Sequence, residues 1–221
     1  MIQKNKMIKE NLKKLLFPIY NFTLSQISKV KIHHVLNSCS VINLEVGAGS
    51  AKGKDGWTTL DINRRCDIYW DLRNGIPFPD KSVDKIYSSH FLEHLTFSEG
   101  QSFLNECLRV LKPLGIFSIC VPDARLFINA YLHNSSEDKK LLGYSPAVNQ
   151  TTSIDYINYI AYMDGHHKYL FDQDNLLFIL KSKGFQDVRS RKFDINLDKK
   201  ERVSTSIYAE AVKPKDILIL K

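Results

Sequence analysis

Two glycines and an aspartate in the first half of the chain have the types and spacing that a nucleoside ligand requires. Gly47 and Gly49 end an apolar run of strand length, and Asp61 ends the β-like run over residues 57–60. Glycine adopts dihedrals that a Cβ forbids, so a ligand can lie directly against the backbone. A carboxylate at the tip of the next strand can accept hydrogen bonds from both hydroxyls of a ribose. The pattern predicts a nucleoside-binding corner of a parallel sheet.

The short connection between Gly49 and Asp61 argues against a phosphate-bearing nucleotide. A dinucleotide fingerprint would place its third glycine at position 52, which is Lys52, and would hold the pyrophosphate on a helix N-terminus. Residues 50–56 leave no room for a regular helix before the second strand. We therefore expect an adenosine ligand without phosphates, and S-adenosyl-L-methionine meets that description.

Three sequence blocks, in this order, resemble the class I S-adenosylmethionine-dependent methyltransferases of the small-molecule and glycan branch (type 11-like). The first block is E-x-G-x-G at positions 45–49, followed by the acid Asp61. The later blocks are D-L-R-N-G-I-P-F-P-D-K-S-V-D-K-I-Y-S-S-H-F-L-E-H-L from position 71 and F-L-N-E-C-L-R-V-L-K-P-L-G-I-F-S-I from position 103. The chain departs from the family pattern at Leu114, which replaces the first glycine of P-G-G, and in its abbreviated first crossover. The resemblance implies S-adenosyl-L-methionine as the cofactor.

The resemblance also implies roles for individual residues. Glu45 would help to position the methionine end, Asp71 would accept from the adenine amino group, and the backbone N–H of Leu72 would serve a ring nitrogen. Ile62 would supply an apolar face to the ring, and His90 would lie beside the sulfonium. Two alternatives stay open, because Glu45 also fits a satisfied strand-end carboxylate and Asp71 a turn cap. The implied cofactor-binding set is Glu45, Gly47, Ala48, Gly49, Asp61, Ile62, Asp71, Leu72 and His90.

Histidines are the main candidates for proton removal. Methyl transfer to a hydroxyl requires alignment of donor and acceptor and removal of a proton, a role that histidine fills near neutral pH. The catalytic candidates, in order, are His90, His166, His167 and Asp123. His94 is interpreted as a structural residue that bonds a neighbouring carbonyl or caps a helix. No metal is expected, because neither a cysteine nor a carboxylate stands at ligand spacing from His166 and His167.

Charge and motif content favour a small acceptor over nucleic acid. The segment S-S-H-F after the predicted fourth strand lacks the prolines of the D/N/S-P-P-Y/F/W motif of base methylases. Seven of the 31 basic residues and one of the 24 acidic residues lie in residues 1–31, so the remainder is nearly neutral. A nucleic-acid substrate would need a positive groove on that remainder. The sequence predicts O-methylation of a small molecule or glycan precursor. N- or C-methylation of a metabolite, or a non-catalytic binding protein of this fold, are the alternatives.

The elements that must position these residues alternate between strand and helix. We expect an α/β fold, with a Rossmann-like seven-stranded sheet, mostly parallel, an antiparallel C-terminal strand and helices on both faces. Apolar runs predict the strands at 41–46, 57–60, 68–70, 83–89, 116–121, 185–193 and 204–212. Helical periodicity and stop signals predict helices at 24–36, 98–111 and 172–183.

The predicted domain organisation is a basic amphipathic extension over 1–37 and a methyltransferase domain over 38–221, with a substrate-lid insertion at 124–170. Apolar residues and lysines on opposite sides of 2–17 fit either a helix packed on the domain or a segment resting on an anionic membrane. Neither an apolar run of membrane-spanning length nor a signal-peptide core is visible, and the four cysteines are scattered. These features predict a cytoplasmic protein with reduced thiols.

Overall fold

The computed structural model describes residues 23–133, 141–142 and 144–216. The amphipathic segment 2–17 lies outside the described residues, so both interpretations of it stay predictions. Residues 23–38 form the first helix, α1, and Ile32 of this helix is buried in the main core. Among the described helices, none is both long enough and apolar enough to span a bilayer.

In the part of the chain that the structure describes, seven strands form one sheet. Their order is β3-β2-β1-β4-β5-β7-β6. Strands β1 to β5 pair in parallel, and β7 runs antiparallel to both β5 and β6. The predicted sheet is confirmed, and its order reverses between β1 and β4, where ligands of open α/β sheets bind. The strands are β1 (Asn43–Val46), β2 (Trp57–Asp61), β3 (Ile68–Tyr69), β4 (Val83–Ser89), β5 (Leu111–Pro122), β6 (Gln186–Ser190) and β7 (Ser206–Val212).

In the described part of the chain, four further α-helices follow β4 and β5. Two of them match the predicted helices to within one residue, and each begins at a side-chain cap. Thr96 and Glu99 form a reciprocal capping box at the start of α2, and Asp172 accepts the Asn175 N–H at the start of α5. The helices are α2 (Phe97–Val110), α3 (Ala124–His133), α4 (Ile154–Tyr162) and α5 (Gln173–Ser182).

The two faces of the sheet differ in chemistry. Alternate residues of β1, β2, β4 and β5 on one face are fully buried apolar side chains that join α2 and α5 in one core cluster. The register places Glu45, Thr59, Tyr87 and Ser118 on the other face. Part of this polar face is covered by the 191–203 segment, where Asp198 accepts a hydrogen bond from the Tyr87 hydroxyl at 2.9 Å. The apolar face therefore supplies the main core.

The first crossover, residues 47–56, contains no helix, as its length predicted. Gly53 closes it: the Gly53 N–H donates to Asp67 Oδ2 at 2.8 Å, and a Cβ at this position would lie 2.0 Å from the Trp57 carbonyl oxygen. No side chain larger than hydrogen fits there without displacing backbone. The crossover is therefore a compact loop that leaves the polar face of β1 uncovered by a helix.

Strand β5 begins earlier than predicted. The motif K-P-L-G was interpreted as a stop before a strand at 116–121, but the strand starts at Leu111, immediately after α2. Leu111 pairs with Val83, and the register shifts between Val83 and Lys85 to absorb the turn. Leu114 takes φ +67° and donates its N–H to the Lys213 carbonyl at 3.0 Å. A leucine thus occupies a left-handed position that favours glycine.

The insertion after β5 builds its own small core. Helices α3 and α4 pack together around Phe127, Tyr156 and Ile160, apart from the main cluster. Tyr131 and Tyr162 are largely exposed. The predicted insertion is thus a packed helical pair, and its role as a substrate lid stays a prediction, as do the domain boundaries.

Candidate cofactor and catalytic site

A pocket of about 180 Å³ opens at the carboxyl ends of β2 and β3, beside the segment that follows β4. Four residues of the predicted cofactor set line it together, two acidic and two apolar. Aromatic and apolar groups from the segment after β4 complete its wall. The lining residues are Asp61, Ile62, Trp70, Asp71, Leu72, Arg73, Phe91, His94, Leu95 and Lys168.

Asp61 links the pocket to the glycine turn. Its Oδ2 accepts the Gly49 N–H at 2.9 Å, and its Oδ1 accepts the Asn63 N–H at 2.7 Å. Each carboxylate oxygen has a further lone pair. The carboxylate can therefore hold the turn and accept a ribose hydroxyl at the same time.

Asp71 has the turn-cap role that was one of the two interpretations left open, and its contact with an adenine amino group stays a prediction. It caps the 3₁₀ turn over residues 72–74 by accepting the Arg73 N–H, and it forms a two-pronged pair with the Arg73 guanidinium at 2.9 and 2.7 Å. The hydrogen bond from this guanidinium is the main cause that lowers the pKa of Asp71. The carboxylate is thus ionised at the pocket edge, where its oxygens can accept a hydrogen bond from an amino group.

The glycine turn is packed against the pocket wall. The N–H groups of Gly47 and Ala48 both donate to the Leu60 carbonyl, at 2.9 and 3.3 Å. Gly47 has φ +71°, and a Cβ there would lie 2.3 Å from the Phe91 ring, which itself packs on Phe103. Gly49 has φ +63°, but a Cβ there would meet no described atom within 4 Å. Gly47 therefore serves the protein's packing, whereas Gly49 borders open space.

Glu45 lies apart from this pocket. Its side chain lines a second cavity, of about 360 Å³, between the first crossover and the 195–199 segment, together with Lys52, Trp57 and Tyr87. Burial raises the pKa of Glu45, against the opposing effect of nearby lysines and arginine. The contact between Glu45 and the methionine end, which the resemblance implied, stays a prediction.

Three imidazoles surround the carboxyl group of Glu93 at the end of β4. His90 Nδ1 lies 3.8 Å and His94 Nε2 lies 3.9 Å from Glu93 Oε1. Burial lowers the pKa of His90 to about 3, lowers the pKa values of His94 and His167, and raises the pKa of Glu93 to about 8. At neutral pH the imidazoles are therefore uncharged and the carboxyl is protonated, so these contacts are not ion pairs.

Backbone carbonyls fix the tautomers of two of these histidines. His94 Nδ1 lies 2.9 Å from the His166 carbonyl oxygen, and His167 Nδ1 lies 2.8 Å from the Ile160 carbonyl oxygen. A carbonyl only accepts, so each Nδ1 carries the proton and each Nε2 is a free acceptor. His94 has the carbonyl partner that the sequence predicted, and it also lines the cofactor pocket.

The four catalytic candidates occupy different surroundings. His90 and His167 join the group around Glu93. His166 is exposed and contributes its carbonyl, and Asp123 accepts the Arg125 N–H at 3.0 Å at the start of α3. Burial raises the pKa of Asp123. None of these four candidates is among the described residues that line the cofactor pocket.

Sequence reasoning missed Glu93, His94 and Lys168 as site residues. The motif H-F-L-E-H directly after β4 was the available signal, because polar residues at a strand's carboxyl end face the ligand crevice. Lys168 could not be assigned, since its place depends on a backbone contact in which its N–H donates to the Glu93 carbonyl at 2.8 Å. That contact joins segments that are distant in sequence.

Comparisons with known proteins agree with this geometry. Residues 44–119 match the family model described as a methyltransferase domain. A demethylmenaquinone methyltransferase of Tropheryma whipplei is 30% identical over 173 residues, which cover 65% of this chain and 66% of that protein. A probable S-adenosylmethionine-dependent methyltransferase of Mycolicibacterium smegmatis is 39% identical over 61 residues, 26% of this chain and 23% of that protein.

The fold comparison points the same way. A solved S-adenosylmethionine-dependent methyltransferase from Archaeoglobus fulgidus superposes with a TM-score of 0.50 at 18% identity, covering 88% of this chain and 99% of that one. The sheet order and the glycine turn thus define a Rossmann-like methyltransferase fold. The chain belongs to the class I S-adenosylmethionine-dependent methyltransferases, and its cofactor is S-adenosyl-L-methionine.

Proposed function

We propose that the chain transfers the methyl group of S-adenosyl-L-methionine to a hydroxyl group of a small molecule or glycan precursor. The observation that carries this proposal is the position of the His90 imidazole, which is held at the end of β4 within the group beside the cofactor pocket. A hydroxyl acceptor must lose its proton as the methyl group arrives, and an unprotonated imidazole can take it. The sulfonium supplies the leaving group, so alignment and proton removal suffice.

The position of His90 is fixed by its neighbours. Its backbone takes φ +52° and its N–H donates to the Cys120 carbonyl at 2.9 Å. Its Nε2 lies 2.7 Å from Ser206 Oγ, which leaves Nδ1 directed towards Glu93. A non-glycine residue in the left-handed region is uncommon and is held only by strong surroundings. This supports His90 as the first candidate for the base.

A second candidate acceptor comes from the relative in Tropheryma whipplei, whose name specifies a demethylmenaquinone substrate. An aromatic ring of that kind would be methylated on carbon. The matched region spans 66% of that protein, so the acceptor is tested directly alongside hydroxyl compounds.

Cytoplasmic location and contact of residues 2–17 with a membrane surface belong to the same proposal. Pelleting with anionic liposomes, with and without residues 1–31, tests the contact.

The first experiment measures cofactor binding by calorimetry. Wild-type protein should bind S-adenosyl-L-methionine, and Asp61→Ala should weaken binding by roughly 1.5–3 kcal/mol, the typical value of a hydrogen bond to a charged group. Asp61→Asn keeps the side-chain size and separates lost charge from lost packing. Absence of binding to the wild type would remove the proposed activity.

The second experiment measures transfer of labelled methyl groups to nucleotide sugars, glycolipid precursors and a demethylated menaquinone. We expect an O-methyl product, and His90→Asn should lower kcat by a larger factor than it weakens cofactor binding. His34→Asn, on the exposed surface of α1, is the matched control. A product methylated on nitrogen or carbon would refute the hydroxyl assignment, and full activity of His90→Asn would refute the role of His90.

A further inference from the structure

We propose that Glu93, His94 and His167 bind a divalent metal ion of the zinc class. One carboxylate oxygen of Glu93 and one ring nitrogen of each histidine lie within 4.8 Å of one another. Glu93 and His94 follow β4, whereas His167 comes from the end of the 124–170 insertion. Two histidines and one glutamate, with a position left open, form a known ligand set of catalytic zinc.

The carboxyl group of Glu93 is buried without a hydrogen bond in the described part of the chain. Glu93 is 2% exposed, and neither of its carboxyl oxygens has a hydrogen-bond partner there. Buried polar groups are normally satisfied, and an unsatisfied one requires an explanation such as an ion. The charge of the Arg202 guanidinium acts on Glu93, but this guanidinium donates its hydrogen bond to Ser89, at 2.9 Å to Oγ. Two imidazole lone pairs and one carboxyl group thus converge on a place that a cation would satisfy.

The groups behind the histidines have the arrangement expected of metal ligands. A ligating histidine almost always donates its other ring N–H to a carbonyl or carboxylate, which fixes the tautomer and the ring orientation. His94 and His167 both do so, through the carbonyls of His166 and Ile160. The Glu93 backbone is held as well, since its carbonyl accepts the Lys168 N–H. Both imidazoles are therefore oriented before any ion arrives.

The distances require a modest closure. Zinc bound at about 2.0–2.1 Å in tetrahedral geometry places its ligand atoms roughly 3.3 Å apart. Glu93 Oε1 and His94 Nε2 are 3.9 Å apart. The His94 side chain is 37% exposed and lines the cofactor pocket, whereas Glu93 and His167 are buried. The open coordination position would therefore face the pocket.

This inference rests on the proposed function for its chemical role. A metal ion at this position would hold the acceptor oxygen and lower the pKa of its hydroxyl group. The O–H bond then breaks and its proton passes to His90, the oxygen forms a bond to the methyl carbon, and the sulfur–methyl bond breaks with its electron pair kept on sulfur. The ion is unchanged in charge throughout.

The test measures metal binding by the full chain, independently of methyl transfer. Protein stripped with a chelator is titrated with Zn²⁺ against a chromophoric competitor, and with Co²⁺ followed by visible absorption. We expect one ion per chain and a tetrahedral cobalt spectrum. Glu93→Gln and His167→Gln should each weaken affinity by at least about 100-fold, since even removal of a supporting group costs 10–100-fold. His166→Gln, a neighbouring exposed histidine, is the matched control and should bind like wild type.

Each outcome separates the metal site from the proposed function. Lack of stoichiometric binding by wild-type protein, or equal affinity of Glu93→Gln and His166→Gln, would overturn the metal site. Protein that binds S-adenosyl-L-methionine and methylates a hydroxyl without metal would keep the proposed function and overturn only this inference. If Glu93→Gln does not fold, His167→Gln and the wild-type cobalt spectrum decide the question.

Discussion

Replacing each glycine of the turn by alanine tests how the turn supports the cofactor pocket. Gly47 and Gly49 have similar backbone dihedrals, with φ values of +71° and +63°. They differ in surroundings: a Cβ on Gly47 would lie 2.3–2.5 Å from three atoms of Phe91, whereas a Cβ on Gly49 meets no described atom within 4 Å. One of the three atoms is the Phe91 Cβ, so rotation of the ring alone cannot relieve the clash. The pair therefore separates backbone strain from collision with the pocket wall.

The expected magnitudes follow from these two terms. The left-handed conformation costs an alanine about 1–2 kcal/mol, and the reduced freedom of the unfolded chain returns about 0.4–1 kcal/mol. Gly49→Ala should therefore lower the free energy of unfolding by about 0.5–1 kcal/mol. Gly47→Ala should lower the free energy of unfolding by a further amount of about 1–3 kcal/mol, which is typical of overpacking, because the segment that carries Phe91 must move.

Urea unfolding of the ligand-free variants measures the loss of stability, and calorimetry with S-adenosyl-L-methionine measures the loss of cofactor affinity. Gly47→Ala should lose both stability and cofactor affinity, since Phe91 lines the pocket. Gly49→Ala should keep most of its stability, so any loss of affinity reports a ligand lying against the turn. Equal destabilisation by the two substitutions would refute the packing of Phe91 on Gly47.

Three further predictions concern stability, each measured by equilibrium unfolding. Leu114→Gly should stabilise the protein by about 0.5–1 kcal/mol, because glycine relieves the strain of the left-handed backbone and Leu114 is 53% exposed, so little packing is lost. A loss of stability would show that packing of the leucine side chain outweighs the backbone strain. Arg109→Ala should lower the free energy of unfolding by about 2–4 kcal/mol, because the Arg109 guanidinium donates hydrogen bonds to two backbone carbonyls and to Glu106. The control Arg125→Ala removes an exposed ion pair and should lower it by less than about 1 kcal/mol. Equal losses for the two variants would contradict this prediction. Asp67 is partly desolvated, which raises its pKa, but hydrogen bonds from Thr59 and Gly53 hold the pKa below the unfolded value of 3.8. The ionised Asp67 therefore stabilises the folded protein above pH 3.8, and this stabilisation is lost as the pH falls through the pKa of Asp67 in the folded state. Asp67→Asn should make the free energy of unfolding depend less steeply on pH in the acid range. An unchanged pH dependence would refute this contribution.

The sequence determined the sheet and the cofactor corner because both depend on local pattern. Apolar runs bounded by turn residues define buried parallel strands, and the carboxyl ends of such strands meet at one edge. Asp61 and Asp71, each at the end of its run, could therefore be placed in one pocket without coordinates. The absence of a helix in the first crossover followed from the few residues available.

The same local logic is incomplete where a neighbour from elsewhere in the chain decides the environment of a residue. Glu45 stands two residues before the glycine turn, yet the open polar face of β1 directs it into a separate cavity. Leu114 stands in a motif that normally ends in a turn, yet β5 already starts at Leu111 because Val83 is available as its partner.

By itself, the sequence determined the class of fold, the cofactor and the two carboxylates that line one pocket, because periodicity and strand-end position are properties of a few consecutive residues. Only the tertiary structure decided that Glu93, His94 and His167 converge, because the return path of the 124–170 insertion is set by packing of α3 on α4. Spacing along the chain carries no information about such a path, and the sequence had therefore predicted no carboxylate partner for His167.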